Sequence, residues 1–221
     1  MPATLRLYED VLSNAASGVR LPALPRMIFV VHGAVTVDGG KTFSDGEAWH
    51  GNGAVMLDAG EAGATCWRFE LAASGADDGA AAGQGVSSRA KISAALDTLP
   101  EGDLILRGDS VAFPPGGCAY LHRHQGPGIR CLLEGGIRID TQGRSVSYGP
   151  GGAWYERGPD PVFAQAAADR PSRFIRVMIL PRALLGKSSV EYLNDDDKAK
   201  PKTQTQQYKI FADVPIVLPA L

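Results

Sequence analysis

The 221-residue chain carries 22 Lys and Arg against 24 Asp and Glu, a formal net charge of -2, so no broad basic field exists and nucleic acid is not an expected partner. Hydrophobic residues at 44% and charged residues at 21% exclude wholesale disorder, and no run of about 18 apolar residues is present to cross a membrane. The 27 Gly and 15 Pro make up roughly a fifth of the chain, above the ~12% of average usage, and predict many tight turns between short elements, hence an all-β class. Three cysteines, Cys66, Cys118 and Cys131, are too few and odd in number for a disulfide framework, which points to a reducing compartment. The first dozen residues lack the apolar core of a signal peptide, and the expected location is the cytoplasm.

In chain order, residues 26–71 read as short strands: Met27 to Val31, a tight turn at His32-Gly33, Ala34 to Val37, then Asp38-Gly39-Gly40, a hairpin signal. Ala72 to Gly85, almost wholly Ala, Gly, Ser and Asp, reads as a mobile connection and a domain boundary. Ser87-Ser88 then caps a predicted short helix carrying Ile92, Ala95, Leu96 and Leu99, ended by Pro100. Residues 129–182 repeat the first layout, with Glu134-Gly135-Gly136, Gln142-Gly143 and Gly149-Pro150-Gly151-Gly152 as turns. Placing Gly33 on Gly135 brings the two copies into register, and both close on an apolar, aromatic stretch, Trp67 to Leu71 and Phe174 to Leu180, the mark of a duplication. The expected domains are 1–71, a linker and helix at 72–103, 104–182, and a polar tail at 183–221 whose Asp195-Asp196-Asp197 run reads as solvated surface. Within that tail, Lys209 to Leu218 alternates well enough for a strand that pairs with a neighbouring barrel or a second subunit, and a homodimer is the expected assembly.

The residues richest in chemistry are Gly116-Gly117-Cys118-Ala119-Tyr120-Leu121-His122-Arg123-His124. On a strand, His122 and His124 face the same side with Cα atoms about 6.6 Å apart, and two imidazoles so placed can converge on one divalent metal. Gly116, His122, His124 and Gly135 resemble the first motif of the cupin superfamily, and Gly151-Gly152 resembles the turn that opens its second. The resemblance spans roughly 20–71 and 104–182 and implies a bicupin, two small jelly-roll β-barrels in one chain. It also implies a divalent metal in the C-terminal barrel, iron, zinc, nickel or manganese, held by His122 and His124.

Two departures limit that implication. Gly128 stands where the motif glutamate belongs, and counting from the second turn puts Phe163 where its histidine belongs. In the first copy Arg20, Pro22 and Arg26 fall at the ligand positions, so that barrel is expected to bind no metal. Candidate third ligands are Gln125, Glu156, Gln165 and Cys118, the last read as buried packing because strand rise alone sets it roughly 13 Å from His122.

If position 128 faces the cavity as the resemblance implies, so do Arg130 and Leu132 by parity. A guanidinium in an apolar barrel needs a counter-charge, and the carboxylate of a small organic acid held by two parallel hydrogen bonds supplies it. Tyr120, Trp154, Tyr155, Phe163 and Gln165 complete the expected pocket. Two functions follow: a metal-dependent enzyme acting on a small organic acid, dioxygenase-like or otherwise, or a non-catalytic cupin that has lost its metal and binds or senses a small molecule.

Overall fold

The computed structural model describes residues 3–76, 79–203 and 207–219, and these form two units, one up to Leu96 together with residues from Ile216 on, the other Asp97–Pro215. The first unit holds β1 (Ala3–Leu12), β2 (Val19–Leu21), β3 (Arg26–Val37), β4 (Thr42–Ser44), β5 (Ala48–Gly51), β6 (Val55–Ala73) and β7 (Val86–Ala95). They pair antiparallel along the path β4-β3-β6-β1-β7, with β2 on β6 and β5 on β3. Leu12, Val19, Ile28, Val30, Val35, Leu57 and Cys66 fill this barrel with aliphatic side chains.

The second unit holds β8 (Leu104–Phe113), β9 (Cys118–His124), β10 (Gly128–Glu134), β11 (Ile137–Thr141), β12 (Arg144–Tyr148), β13 (Ala153–Glu156), β14 (Val162–Ala166), β15 (Ser172–Pro181), β16 (Val190–Tyr192), the short helix α1 (Asp195–Ala199) and most of β17 (Lys209–Ile216). Two five-stranded sheets result, β13-β10-β15-β8-β17 and β12-β11-β14-β9-β16. Their facing sides carry Val111, Leu132, Ile137, Ile139, Trp154, Val162 and Phe174. The chain is thus nearly all β, two jelly rolls in tandem. No helix among the described residues is long and apolar enough to cross a membrane.

The duplication is visible in the backbone. Gly33 and Gly135 share positive φ (81° and 84°), and a Cβ on either would meet a carbonyl oxygen, Gly63 O at 2.1 Å and Pro171 O at 2.2 Å. Only glycine satisfies both demands, the left-handed φ and the close strand behind it. Hairpins turn where expected: Asp38-Gly39 (φ 50° and 63°) joins β3 to β4, and Gln142-Gly143 (φ 50° and 71°) joins β11 to β12.

Four expectations are corrected. His32-Gly33 makes no turn; β3 runs through it as one strand whose register against β6 shifts on both sides of the pair. The helix expected after Ser87-Ser88 is β7, which pairs with β1 from Thr4↔Ala95 to Leu12↔Val86, because an open sheet edge claims those backbone groups. The segment expected to be a loose connection contributes Ala72 and Ala73 to β6, and its Ala76 and Gly79 carbonyls accept from the buried Arg6 and Arg68. Asp197, in the acidic run, is buried and bound to Asn194 and Lys200.

Candidate functional site

A bulge in β9 decides what faces the cavity of the second barrel. Against β14, Val162 opposes His122 while Ala164 opposes Ala119, so three residues of β9 span two of β14. The extra residue flips the parity: Ala119, His122 and His124 point inward, and Tyr120 points out. Across the bulge, His122 Nδ1 lies 2.7 Å from the Tyr120 carbonyl oxygen, which can only accept, so Nδ1 carries the proton. The two rings meet edge to face with centroids 4.9 Å apart.

His124 is fixed by the same reasoning. Arg176 Nη1 lies 3.4 Å from His124 Nε2, and since a guanidinium only donates, Nε2 is the acceptor. The proton of the neutral ring then sits on Nδ1, 3.3 Å from Ser189 Oγ. Burial holds both rings neutral: it pushes His124 well below the ordinary histidine range, reinforced by Arg176 and His122, and lowers His122 despite the opposing pull of Glu156.

Two arginines close this end of the barrel. Arg130 on β10, 1% exposed, donates from Nη1 to the Gly128 carbonyl (2.6 Å) and sets Nη2 2.8 Å from Glu156 Oε2 on β13. Those two buried atoms form an ion pair without hydrogen-bond alignment. Glu156 Oε1 accepts from the Trp154 indole (2.8 Å), and its Oε2 is 3.8 Å from His124 Nε2. Arg176 on β15 is clamped by Asp109 on β8 through Nε (2.9 Å) and Nη2 (2.8 Å), and Asp109 also accepts from the Tyr208 hydroxyl (2.8 Å), whose own ionisation is pushed far up by burial. Each guanidinium therefore has its carboxylate, and the counter-charge assigned from sequence to a ligand is supplied to Arg130 by Glu156.

The cavity they close measures about 410 Å³, the size of sites for drug-sized molecules. Its walls are mainly apolar, including Val111, Phe113, Ile139, Trp154 and Phe174, and residues 186–190, Tyr192 and Tyr208 of the tail border it. Stacking of Tyr148 on Trp154 (4.9 Å) and an edge contact of Trp154 with Phe174 (5.5 Å) stiffen one wall.

Of the residues expected here, His122, His124, Arg130 and Trp154 line the cavity, and so does Glu156 from the candidate third ligands. Four others do not. Tyr120 lies outside under Lys200 and Lys202, with Lys200 Nζ 4.8 Å from its ring centre. Tyr155 alternates out between Trp154 and Glu156 on β13, and Phe163 alternates out between Val162 and Ala164, 6.0 Å from the Arg138 guanidinium. Gln165 donates to the Gly116 and Gly117 carbonyls (2.8 and 3.2 Å) and pins the loop before β9. Cys118 is half-buried on the strand's outer side rather than core. Asp109 and Arg176 were passed over in the sequence; their signal is a charged residue inside an otherwise apolar strand, as in Phe174-Ile175-Arg176-Val177-Met178.

Among the described residues no group of three His, Cys, Asp or Glu is placed to hold a metal ion. His124 Nε2 receives an Arg176 N–H, and Glu156 faces Arg130, which leaves the His122 Nε2 lone pair. A dication would meet repulsion from these guanidiniums, about 8 kcal/mol for one 4 Å away at an effective dielectric of about 20, offset in part by their partners Glu156 and Asp109. Position 128 cannot restore the missing carboxylate, because a Cβ there would sit 2.5 Å from the Val177 carbonyl oxygen and 2.6 Å from Met178 Cγ. As arranged, the residues do not fit a tightly held divalent metal.

No protein family profile matches the sequence, and no curated protein matches it. Solved structures do. A mutant of Bacillus subtilis oxalate decarboxylase superposes with a TM-score of 0.62 at 13% identity, covering 91% of this chain and 74% of that one. AerE from Microcystis aeruginosa gives 0.57 at 12%, covering 79% and 87%. The chain has a cupin superfamily fold. Among cupins of known structure, the salicylate 1,2-dioxygenase of Pseudaminobacter salicylatoxidans is also similar, at 0.55 and 12% identity over 79% of this chain and 70% of that one. The Bacillus decarboxylase has Mn(II) centres. At such identities the likeness establishes architecture, and chemistry rests on the residues in this cavity.

Proposed function

We propose that the C-terminal cupin barrel is a binding chamber for a small organic acid, with Arg130 receiving the carboxylate. The observation that carries this reading is the unmet donor capacity of Arg130: of five N–H groups, one hydrogen-bonds the Gly128 carbonyl, and Nη2 is buried beside Glu156 without an aligned bond. The ion pair with Glu156 leaves most of these N–H groups without an aligned acceptor, and a carboxylate laid against the guanidinium would supply one. The apolar walls supply the remainder of the affinity, at roughly 25 cal/mol per Å² of ligand surface removed from water. The unprotonated Nε2 of His122 lines the same space and is the base a turnover would use.

A second reading, a metal-dependent enzyme, is favoured by one observation: both imidazoles are neutral, carry their proton on Nδ1 and lie 4.9 Å apart. For that reading His122 and His124 would hold iron, zinc, nickel or manganese, Glu156 would have to leave Arg130 to complete the set, and the ion would supply a Lewis acid. Calorimetric titration with small monocarboxylates, alongside elemental analysis, separates the two. The chamber reading predicts saturable binding by metal-free wild type and loss of binding in Arg130→Gln/Glu156→Gln. Binding that appears only with stoichiometric metal and disappears in His122→Ala/His124→Ala would replace it with the second.

A two-fold homodimer and a cytoplasmic location belong to the same proposal. β17 is an edge strand of its sheet and exposes Ile210, which a second copy would cover. Light scattering and cell fractionation test these two points.

A further inference from the structure

The same end of the cavity leaves acceptors, as well as donors, without partners. Glu156 Oε2 is buried with no hydrogen bond, 2.8 Å from Arg130 Nη2. His122 is 6% exposed; its Nδ1 is spent on the Tyr120 carbonyl, and Nε2 has no hydrogen-bond partner among the described residues. A plain carboxylate laid on Arg130 would satisfy the guanidinium but bring a second negative charge against Glu156, and like charges this close cost several kcal/mol in a buried site. A hydroxyl on the carbon next to the acid leaves that repulsion in place but offsets part of it, because its O–H can donate to Glu156 Oε2 or to His122 Nε2 while the carboxylate takes the Arg130 donors. Beyond this head the walls are Val111, Phe113, Ile139 and Phe174, which make no hydrogen bonds and accept an apolar body.

We infer that the ligand of the C-terminal barrel is a 2-hydroxy acid with an apolar, ring-sized side chain, its carboxylate on Arg130 and its hydroxyl donating to one of the two nearby acceptors, Glu156 Oε2 or His122 Nε2. This rests on the chamber reading above and narrows it to one chemical class. A hydrogen bond to a charged group contributes about 1.5–3 kcal/mol, so the hydroxyl should raise affinity about tenfold or more.

The test uses the full chain with lactate and three probes that differ in one substituent: 3-phenyllactate, 3-phenylpropanoate, which lacks the hydroxyl, and 2-methoxy-3-phenylpropanoate, which keeps the oxygen but cannot donate. Calorimetry should rank phenyllactate at least tenfold tighter than both others, with lactate weaker for want of the ring. Equal affinity of phenyllactate and its methoxy ether, or tighter binding of phenylpropanoate, overturns the hydroxyl assignment while leaving an Arg130-dependent acid chamber intact. If none of the probes binds, the chamber reading itself fails.

Discussion

The buried pair Arg130–Glu156 gives the sharpest energetic prediction. Arg130 is 1% exposed and the Glu156 side chain 10%, with Nη2 and Oε2 2.8 Å apart. Removing the guanidinium in Arg130→Gln leaves a carboxylate in low dielectric with the Trp154 indole as its remaining donor, and breaking a buried pair from one side costs about 3–5 kcal/mol. Glu156→Gln strands the positive charge, whose pKa burial already pulls down to about 10, and should cost a similar amount. The double variant leaves two neutral amides of nearly native volume and should cost less than the sum of the singles, with a coupling of about 2–3 kcal/mol. Urea denaturation of the four proteins at pH 7.5, monitored by tryptophan fluorescence, measures the cycle. Additive losses would show that the two groups do not interact in solution, and the geometry on which the acid chamber rests would then be wrong.

Other consequences follow from single residues. Gly128→Glu, which writes the motif glutamate back into the sequence, should destabilise by about 1–3 kcal/mol through its clash with Val177 and Met178 and should not increase bound metal, measured by denaturation and elemental analysis. His122 and His124 are held neutral in the folded state, so the unfolded chain binds more protons below pH 6.5; stability is full above that pH and falls as acid is added, by at most about 1.4 kcal/mol per histidine and pH unit. Melting temperatures between pH 7 and 5 should show this fall, reduced in His122→Gln/His124→Gln, and an unchanged slope would contradict the assignment. Native protein treated with a thiol reagent should label at the half-buried Cys118, whereas Cys66, pushed up to about 12 by burial, and Cys131 should react only on unfolding, as peptide mapping would reveal.

Much of the architecture could be read from glycine. Gly33 and Gly135 take the same left-handed φ at matching positions of two copies, and Asp38-Gly39 and Gln142-Gly143 turn where a two-residue hairpin demands positive φ. β7 was missed because Ile92, Ala95 and Leu96 mimic helical spacing, while the reason it is a strand lies eighty residues away, in the unpaired edge of β1. His122, His124 and Arg130 line the cavity, as strand parity applied on each side of the bulge requires. Tyr120 was lost to that bulge, which nothing in Cys118-Ala119-Tyr120-Leu121-His122 announces. Phe163 and Gln165 were misplaced by counting from a turn, although the alternation Val162, Ala164, Ala166 marks the inward face of β14. Glu156, one of several candidates on sequence, is singled out by a cross-strand neighbour, because β13 pairs with β10 at Arg130↔Trp154 and Gly128↔Glu156.

A crystal structure of the protein soaked with a small carboxylic acid tests the central claim most directly. The account predicts density at the closed end of the C-terminal barrel, with carboxylate oxygens within about 3 Å of Arg130 nitrogens and the apolar body against Phe113 and Phe174. An acid bound elsewhere, or a metal ion bridging His122 and His124 with Arg130 and Arg176 turned away, would contradict it.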